Sequence, residues 1–158
     1  MPNWCFNEVE IKGTKKAIEK VAKLMKQVEE TGDFFELVYP TPDGIGDRYP
    51  HWYDWRVKYW GTKWDIDTES LGFTVNQTSV TMSFDSAWSP PVEFFAKFSE
   101  IFKVTVEIRF LEEGRDFAGC CICKAGKIVS EDVRHDVDRE DILYYELDPE
   151  MVMDEDEE

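Results

Sequence analysis

Apolar residues that alternate in some stretches and recur at helical spacing in others predict an α+β sandwich, one antiparallel sheet with its helices on one face. Three observations carry this. Val9 and Ile11 alternate with Glu8, Glu10 and Lys12; Val80, Met82 and Phe84 alternate with Thr81, Ser83 and Asp85; and Phe94, Phe95, Phe98, Ile101 and Phe102 repeat as one helical stripe. With 158 residues the chain is long enough to bury a core without disulfide or metal staples.

The first strand covers residues 3–12 and stops at Gly13. Thr14 is suited to cap the helix that follows, which buries Ile18, Val21, Ala22, Met25 and Val28 and ends at Thr31-Gly32-Asp33. Lys16, Lys20, Lys23 and Lys26 lie on its solvent side, the usual composition of a hydrated face. Residues 34–50 show no sustained period, and YPTPDGIGD is turn-forming.

Tyr49–Asp67 then holds four of the chain's six tryptophans. Read as a helix, it places Trp52, Trp55, Tyr59 and Trp60 on one stripe and turns Asp54, Arg56 and Lys58 outward. Pro50 suits its first turn and Gly61 its left-handed end. Beyond Gly61, Trp64, Ile66 and Thr68 alternate with Asp65 and Asp67, so the second strand is expected from Trp64 to Val75, interrupted near residues 69–72.

Asn76-Gln77-Thr78 supplies a turn into the third strand. Ser89 followed by Pro90 reads as the capped start of the phenylalanine-rich helix. Val104, Val106, Ile108 and Phe110 make a fourth strand, ended by Glu113-Gly114-Arg115, and Lys124-Ala125-Gly126 joins a closing hairpin of residues 117–123 and 127–133. Asp138 caps a short helix through Tyr145, after which Asp148-Pro149 and MVMDEDEE are expected to be disordered.

Strand, helix, strand, strand, helix, strand and a hairpin make a ferredoxin-like βαββαβ sandwich extended by a C-terminal hairpin and short helix. The expected division is a domain over residues 1–137, with an aromatic-rich insertion at about 38–61, and a helix with an acidic tail over 138–158. Both helical stripes cover one side of the sheet, which leaves the aromatic helix to cover the other.

The net charge of −16 is unevenly spread. Residues 131–158 hold 14 acidic and 2 basic side chains, a net of −12, leaving −4 for the remainder. Such a chain is poorly suited to neutralising phosphates, which argues against nucleic acid as partner. Cys5, Cys120, Cys121 and Cys123 are poorly spaced for disulfides and read as reduced, hence cytoplasmic. No apolar run reaches the ~20 residues of a membrane span.

Asn3-Trp4-Cys5-Phe6-Asn7, Trp60-Gly61-Thr62-Lys63-Trp64-Asp65 and Ala87-Trp88-Ser89-Pro90-Pro91, followed by Glu113-Gly114 with Phe117 and Gly119, together resemble a known family. This set is similar to the YubB-like ferredoxin-fold proteins of phages and conjugative plasmids, a domain of unknown function, over about residues 3–125. The resemblance implies the fold and a mobile-element origin, and supplies no catalytic residue. The acidic ending lies outside the shared pattern.

The candidate ligand-binding residues are Trp55, Tyr59, Trp60, Lys63, Trp64, Asp65, Asp85 and Trp88, with Trp4 beside them; indole faces stack on rings while polar tips orient a ligand. As a strand pair, Lys63 and Asp65 would project to one side. The bland alternative is a sheet cap of buried aromatics. Cys121 and Cys123 share one strand face and Cys120 takes the other, so no metal site is expected, and no cofactor or catalytic motif is visible. The leading expectation is a non-enzymatic interaction module from a phage or mobile element, acting on an unidentified host or phage protein, with a nucleic-acid-handling or defence protein as one such target. The alternative is a small-ligand or nucleotide-binding domain, enzymatic or not, using a tryptophan-lined cleft. Nothing in the sequence fixes the oligomeric state, although the edge added by the hairpin is free to pair two copies.

Overall fold

The computed structural model of the chain describes residues 3–45 and 49–151. Among the described residues six strands form one antiparallel sheet: β1 Trp4–Lys12, β2 Gly72–Val75, β3 Ser79–Ala87, β4 Thr105–Glu112, β5 Phe117–Lys124 and β6 Lys127–His135, in the order β2-β3-β1-β4-β5-β6. Five α-helices accompany it among the described residues: α1 Lys15–Thr31, α2 Phe35–Val38, α3 His51–Tyr59, α4 Val92–Phe102 and α5 Arg139–Tyr144. No helix among the described residues is long and apolar enough to cross a membrane.

Alternation fixes which side of the sheet is core. Cys5, Asn7, Val9 and Ile11 of β1 are buried, as are Val80, Met82 and Phe84 of β3 and Val106, Ile108 and Phe110 of β4. The antiparallel register aligns these sets, Val9 facing Met82 on one side and Ile108 on the other. α1 and α4 pack on this face. α1 starts where expected, the Thr14 side chain accepting from the Ala17 N–H at 3.1 Å, and stops at left-handed Gly32.

Several elements depart from the sequence reading. α4 begins at Val92 with no side-chain cap, because the Ser89 hydroxyl donates to the Gly61 carbonyl instead. β2 begins only at Gly72. Residues 61–71 form turns, in which Thr62 and Ile66 are buried and Trp64 is exposed, so Lys63 and Asp65 do not share a strand face. Ile101 is exposed although it fits the apolar stripe of α4.

The larger correction concerns the second face of the sheet. The aromatic helix α3 lies beside α4 in the helical layer and does not cover that face. The C-terminal segment covers part of it: Val137, Ile142, Tyr145 and Leu147 pack on Leu111 and Ala118, with Phe6 and Cys120 at the margin. Arg109 ties this segment down, donating to the Glu146 carbonyl at 3.1 Å and pairing with Glu8 at 3.1 Å. Tyr145 adds a hydroxyl bond to Asp132.

α5 is capped by Asp138, as the sequence suggests, and the Asp141 side chain returns the bond to complete a capping box. Beyond it the chain keeps local structure where disorder is expected from Asp148, since Pro149 is buried and Pro149–Met151 forms a 3-10 turn. Residues 138–151 therefore pack as part of the same body as the sheet. The remaining acidic end, residues 152–158, lies outside the described residues.

Phe34, fully buried, meets Phe94, Phe95 and Phe98 edge-on at centroid distances of 5.2, 6.0 and 6.2 Å. Replacing Phe34 with Ala is expected to destabilise the domain by about 3–5 kcal/mol, the cost of a large aromatic cavity, measured by urea unfolding. A loss under about 1 kcal/mol would show that this ring is not part of the core.

Candidate functional site

The eight predicted site residues do not converge on one cleft. They divide into a buried lock, a half-covered aromatic tier and an exposed corner.

Trp60 and Asp65 form the lock. Trp60 is the C-cap of α3 and fully buried; its indole N–H donates to the Tyr39 carbonyl at 2.8 Å and its ring meets Phe35 edge-on at 5.4 Å. Asp65 is half-buried and acts as a distant cap for α2, whose own N-cap residue, Phe34, supplies no side-chain bond. Its carboxylate accepts from the N–H groups of Phe34, Phe35 and Glu36 at 3.2, 2.8 and 3.0 Å. Burial raises its pKa above the usual carboxylate value, and the backbone donors pull against that rise. Neither residue is free to hold a ligand.

The tier comprises Trp55 and Tyr59, packed on Tyr39 at 5.3 and 5.8 Å. The expected stripe is broken here because Arg56 points inward. Its guanidinium lies 5.1 Å from the Trp52 ring and 4.9 Å from the Trp60 ring, and it pairs with Glu36 at 3.3 Å. Thr41 donates its hydroxyl to the same carboxylate. A cation sandwiched between indoles needs the inward face that sequence spacing assigns to solvent.

The corner holds Lys63, Trp64 and Trp88, joined by Trp4. Trp64 is 40% exposed and Trp88 52%, and the Lys63 ammonium sits 4.4 Å from the first ring and 5.7 Å from the second. Trp4 lies 6.4 Å from Trp64 between ring centres. Trp88 has φ +70, and the Ser89 N–H reaches the Ala87 carbonyl at 2.8 Å, closing a tight turn around it. A bulky side chain rarely adopts this backbone, which costs on the order of 1–3 kcal/mol and persists only where neighbours enforce it.

Those neighbours were not legible as site residues. The Trp88 N–H donates to the Asn3 carbonyl at 2.8 Å, and Asn3 in turn donates its side-chain amide to buried Glu112 at 2.7 Å. Thr62, also buried, donates to the Ala87 carbonyl at 2.7 Å. Asn3 and Thr62 fall inside the quoted motifs, which is the one signal that marks them.

Asp85 stands on the sheet face opposite the helices, paired across strands with Phe6. Desolvation raises its pKa, with Asp67 and Glu113 adding repulsion. The corner thus combines exposed indoles and the Lys63 ammonium with the neighbouring carboxylates of Asp67, Asp85 and Glu113. Among the described residues no group of three or more His, Cys, Asp or Glu side chains is placed to hold a metal ion. Burial pushes the thiols of Cys121 and Cys123 up to about 12 and that of Cys120 to about 11, so none is a ready nucleophile.

The family model for the ferredoxin-like domain in Api92-like protein matches residues 59–153, a span that takes in the lock and most of the corner. The chain belongs to this family. Among solved structures it is similar to the crystal structure of a protein api92 from Yersinia pseudotuberculosis, with a TM-score of 0.66 and 10% identity, covering 84% of this chain and 98% of that one. At that identity the likeness is one of fold. No curated protein matches the chain. The Api92-like match includes Tyr59, Trp60, Lys63, Trp64, Asp65, Asp85 and Trp88 and leaves out Trp55.

Two outcomes follow from this division. Asp65→Ala, which strands the backbone donors of Phe34, Phe35, Glu36 and Ile66, is expected to cost about 3 kcal/mol in urea unfolding, and Asp65→Asn less, because one acceptor remains; equal losses for both would contradict the capping role. Asp85 has a raised folded pKa, so the stability it contributes is complete below the unfolded value and is lost as pH rises through the folded value. Asp85→Asn should therefore stabilise the protein at pH 7 by a fraction of a kcal/mol after solvent screening, and the gain should vanish near pH 3. Thermal midpoints at both pH values read it directly.

Proposed function

We propose that this chain is a non-enzymatic interaction module of a phage or related mobile element, of the YubB-like kind, whose contact surface is the corner of Trp4, Lys63, Trp64 and Trp88. The observation that carries the reading is Trp88: a half-exposed indole held on a costly backbone by Asn3, Glu112 and Thr62. Exposed tryptophans on a fixed frame are the side chains that most often dominate protein interfaces. The carboxylates of Asp67, Asp85 and Glu113 beside them select a basic partner surface, and the net charge of −16 steers such a partner while repelling nucleic acid. A host nucleic-acid-handling or defence protein, which carries a basic surface of this type, fits as the target.

A βαββαβ frame extended by the β5–β6 hairpin accords with the sheet order and supports the YubB-like kinship. A cytoplasmic location fits four cysteines that stay unpaired. The reading of a small-ligand or nucleotide cleft is less favoured, because Trp60 and Asp65 are committed to the core.

Tryptophan emission tests the two readings against each other. Oligoarginine is expected to change the emission, with a response that fades as salt rises. Trp88→Gly should abolish that response while keeping stability within about 1 kcal/mol of the parent, since glycine relieves the left-handed strain. A response to nucleotides or monosaccharides, with none to oligoarginine, would overturn the interaction module.

A further inference from the structure

β6 closes one side of the sheet, and among the described residues no strand pairs with its outer edge. Residues Lys127–Asp132 and His135 are exposed, and a bulge places Val129 outside the register, so the regular run is Ser130–His135. Such an edge normally invites pairing unless something blocks it. Beside it, on the helical face, a groove of about 350 Å³ runs between α3, α4 and the last two strands, lined by Val57, Pro90, Phe117, Ile128 and Val133. Its two carboxylates are Glu93 and Glu131.

Glu93 keeps solvent on its outer side, while burial of its inner side and the charge of Glu131 both push its pKa up. Neither carboxylate forms an ion pair among the described residues. Lys127 lies at the far end of the strand, and Arg134 on the other face is engaged by Asp141 at 2.9 Å. The groove is therefore apolar along its length and uncompensated in charge at Glu93 and Glu131.

We propose that the outer edge of β6 takes an extended, basic segment of a partner protein as an added strand, with a Lys or Arg of that segment bound between Glu93 and Glu131. Side chains directly across an antiparallel pair lie about 5 Å apart, so a cation opposite Glu131 also reaches Glu93. The residue two places along points to the same face and covers Val133 and Phe117. Backbone bonds give affinity, and the basic-then-apolar spacing gives specificity. This surface meets the indole corner at Gly61 and Ser89 but uses different side chains.

The probe is a capped synthetic peptide, TKTVTKTVT, added to the full chain and followed by amide NMR and hydrogen exchange. Shifts and slowed exchange at Ser130–His135 are expected, and TETVTETVT should produce neither. Glu93→Gln with Glu131→Gln should weaken binding by about tenfold, the scale of one charge-assisted hydrogen bond, with an unchanged circular dichroism spectrum. Trp88→Gly should bind the peptide as the parent does, so a failure of the corner reading leaves this result standing. The proposal is overturned if shifts fall only around Trp64 and Trp88, if the double variant binds equally well, if no shifts occur, or if the edge is already closed by a second copy of the chain in solution.

Discussion

A single carboxylate organises the aromatic half of this protein. Asp65 gathers three successive N–H groups at the start of α2, and that bond set holds Phe34 and Phe35 where they enter the core. Phe35 then receives Trp60, whose indole N–H is anchored to the Tyr39 carbonyl of the same segment. Two stretches of chain about thirty residues apart are thereby fastened together. The carboxylate loses hydration in the process, and backbone donors offset that loss.

Once Trp60 is drawn into the helical layer, the chain emerging from it has to turn at Gly61, which is left-handed and lies against the Glu93 carboxylate. That turn delivers Lys63 and Trp64 to the surface next to Trp88. Core and corner are thus consecutive parts of one motif: the residues that fasten the chain and the residues that remain accessible alternate within six positions. The uncovered part of the second sheet face, with Glu8, Glu10, Thr81, Ser83 and Arg109 along a shallow groove, is polar and carries Arg109 as a structural tie to the segment that follows α5.

The sheet and the two long helices were legible because their signals are local. Alternation at Val9 and Ile11, the Thr14 cap and the spacing of Phe94, Phe95 and Phe98 each need only neighbouring residues to be interpreted. Phe34 and Phe35 were not, since a short helix capped from residue 65 leaves no period in its own sequence. Arg56 was assigned outward because spacing cannot reveal a guanidinium placed between two indoles. Ser89 and Pro90 imitate a helix start, yet the hydroxyl is taken by Gly61. The candidate site was half visible for the same reason: abundant tryptophan marked the region, while only three-dimensional placement separates Trp60, sealed, from Trp88, exposed.

Residue-resolved hydroxyl-radical footprinting of the native chain, read by mass spectrometry, tests that separation most directly. Trp64 and Trp88 should oxidise quickly while Trp60 stays protected until the protein unfolds. Rapid oxidation of Trp60 in the folded state, or protection of Trp88 equal to that of Trp60, would contradict the account.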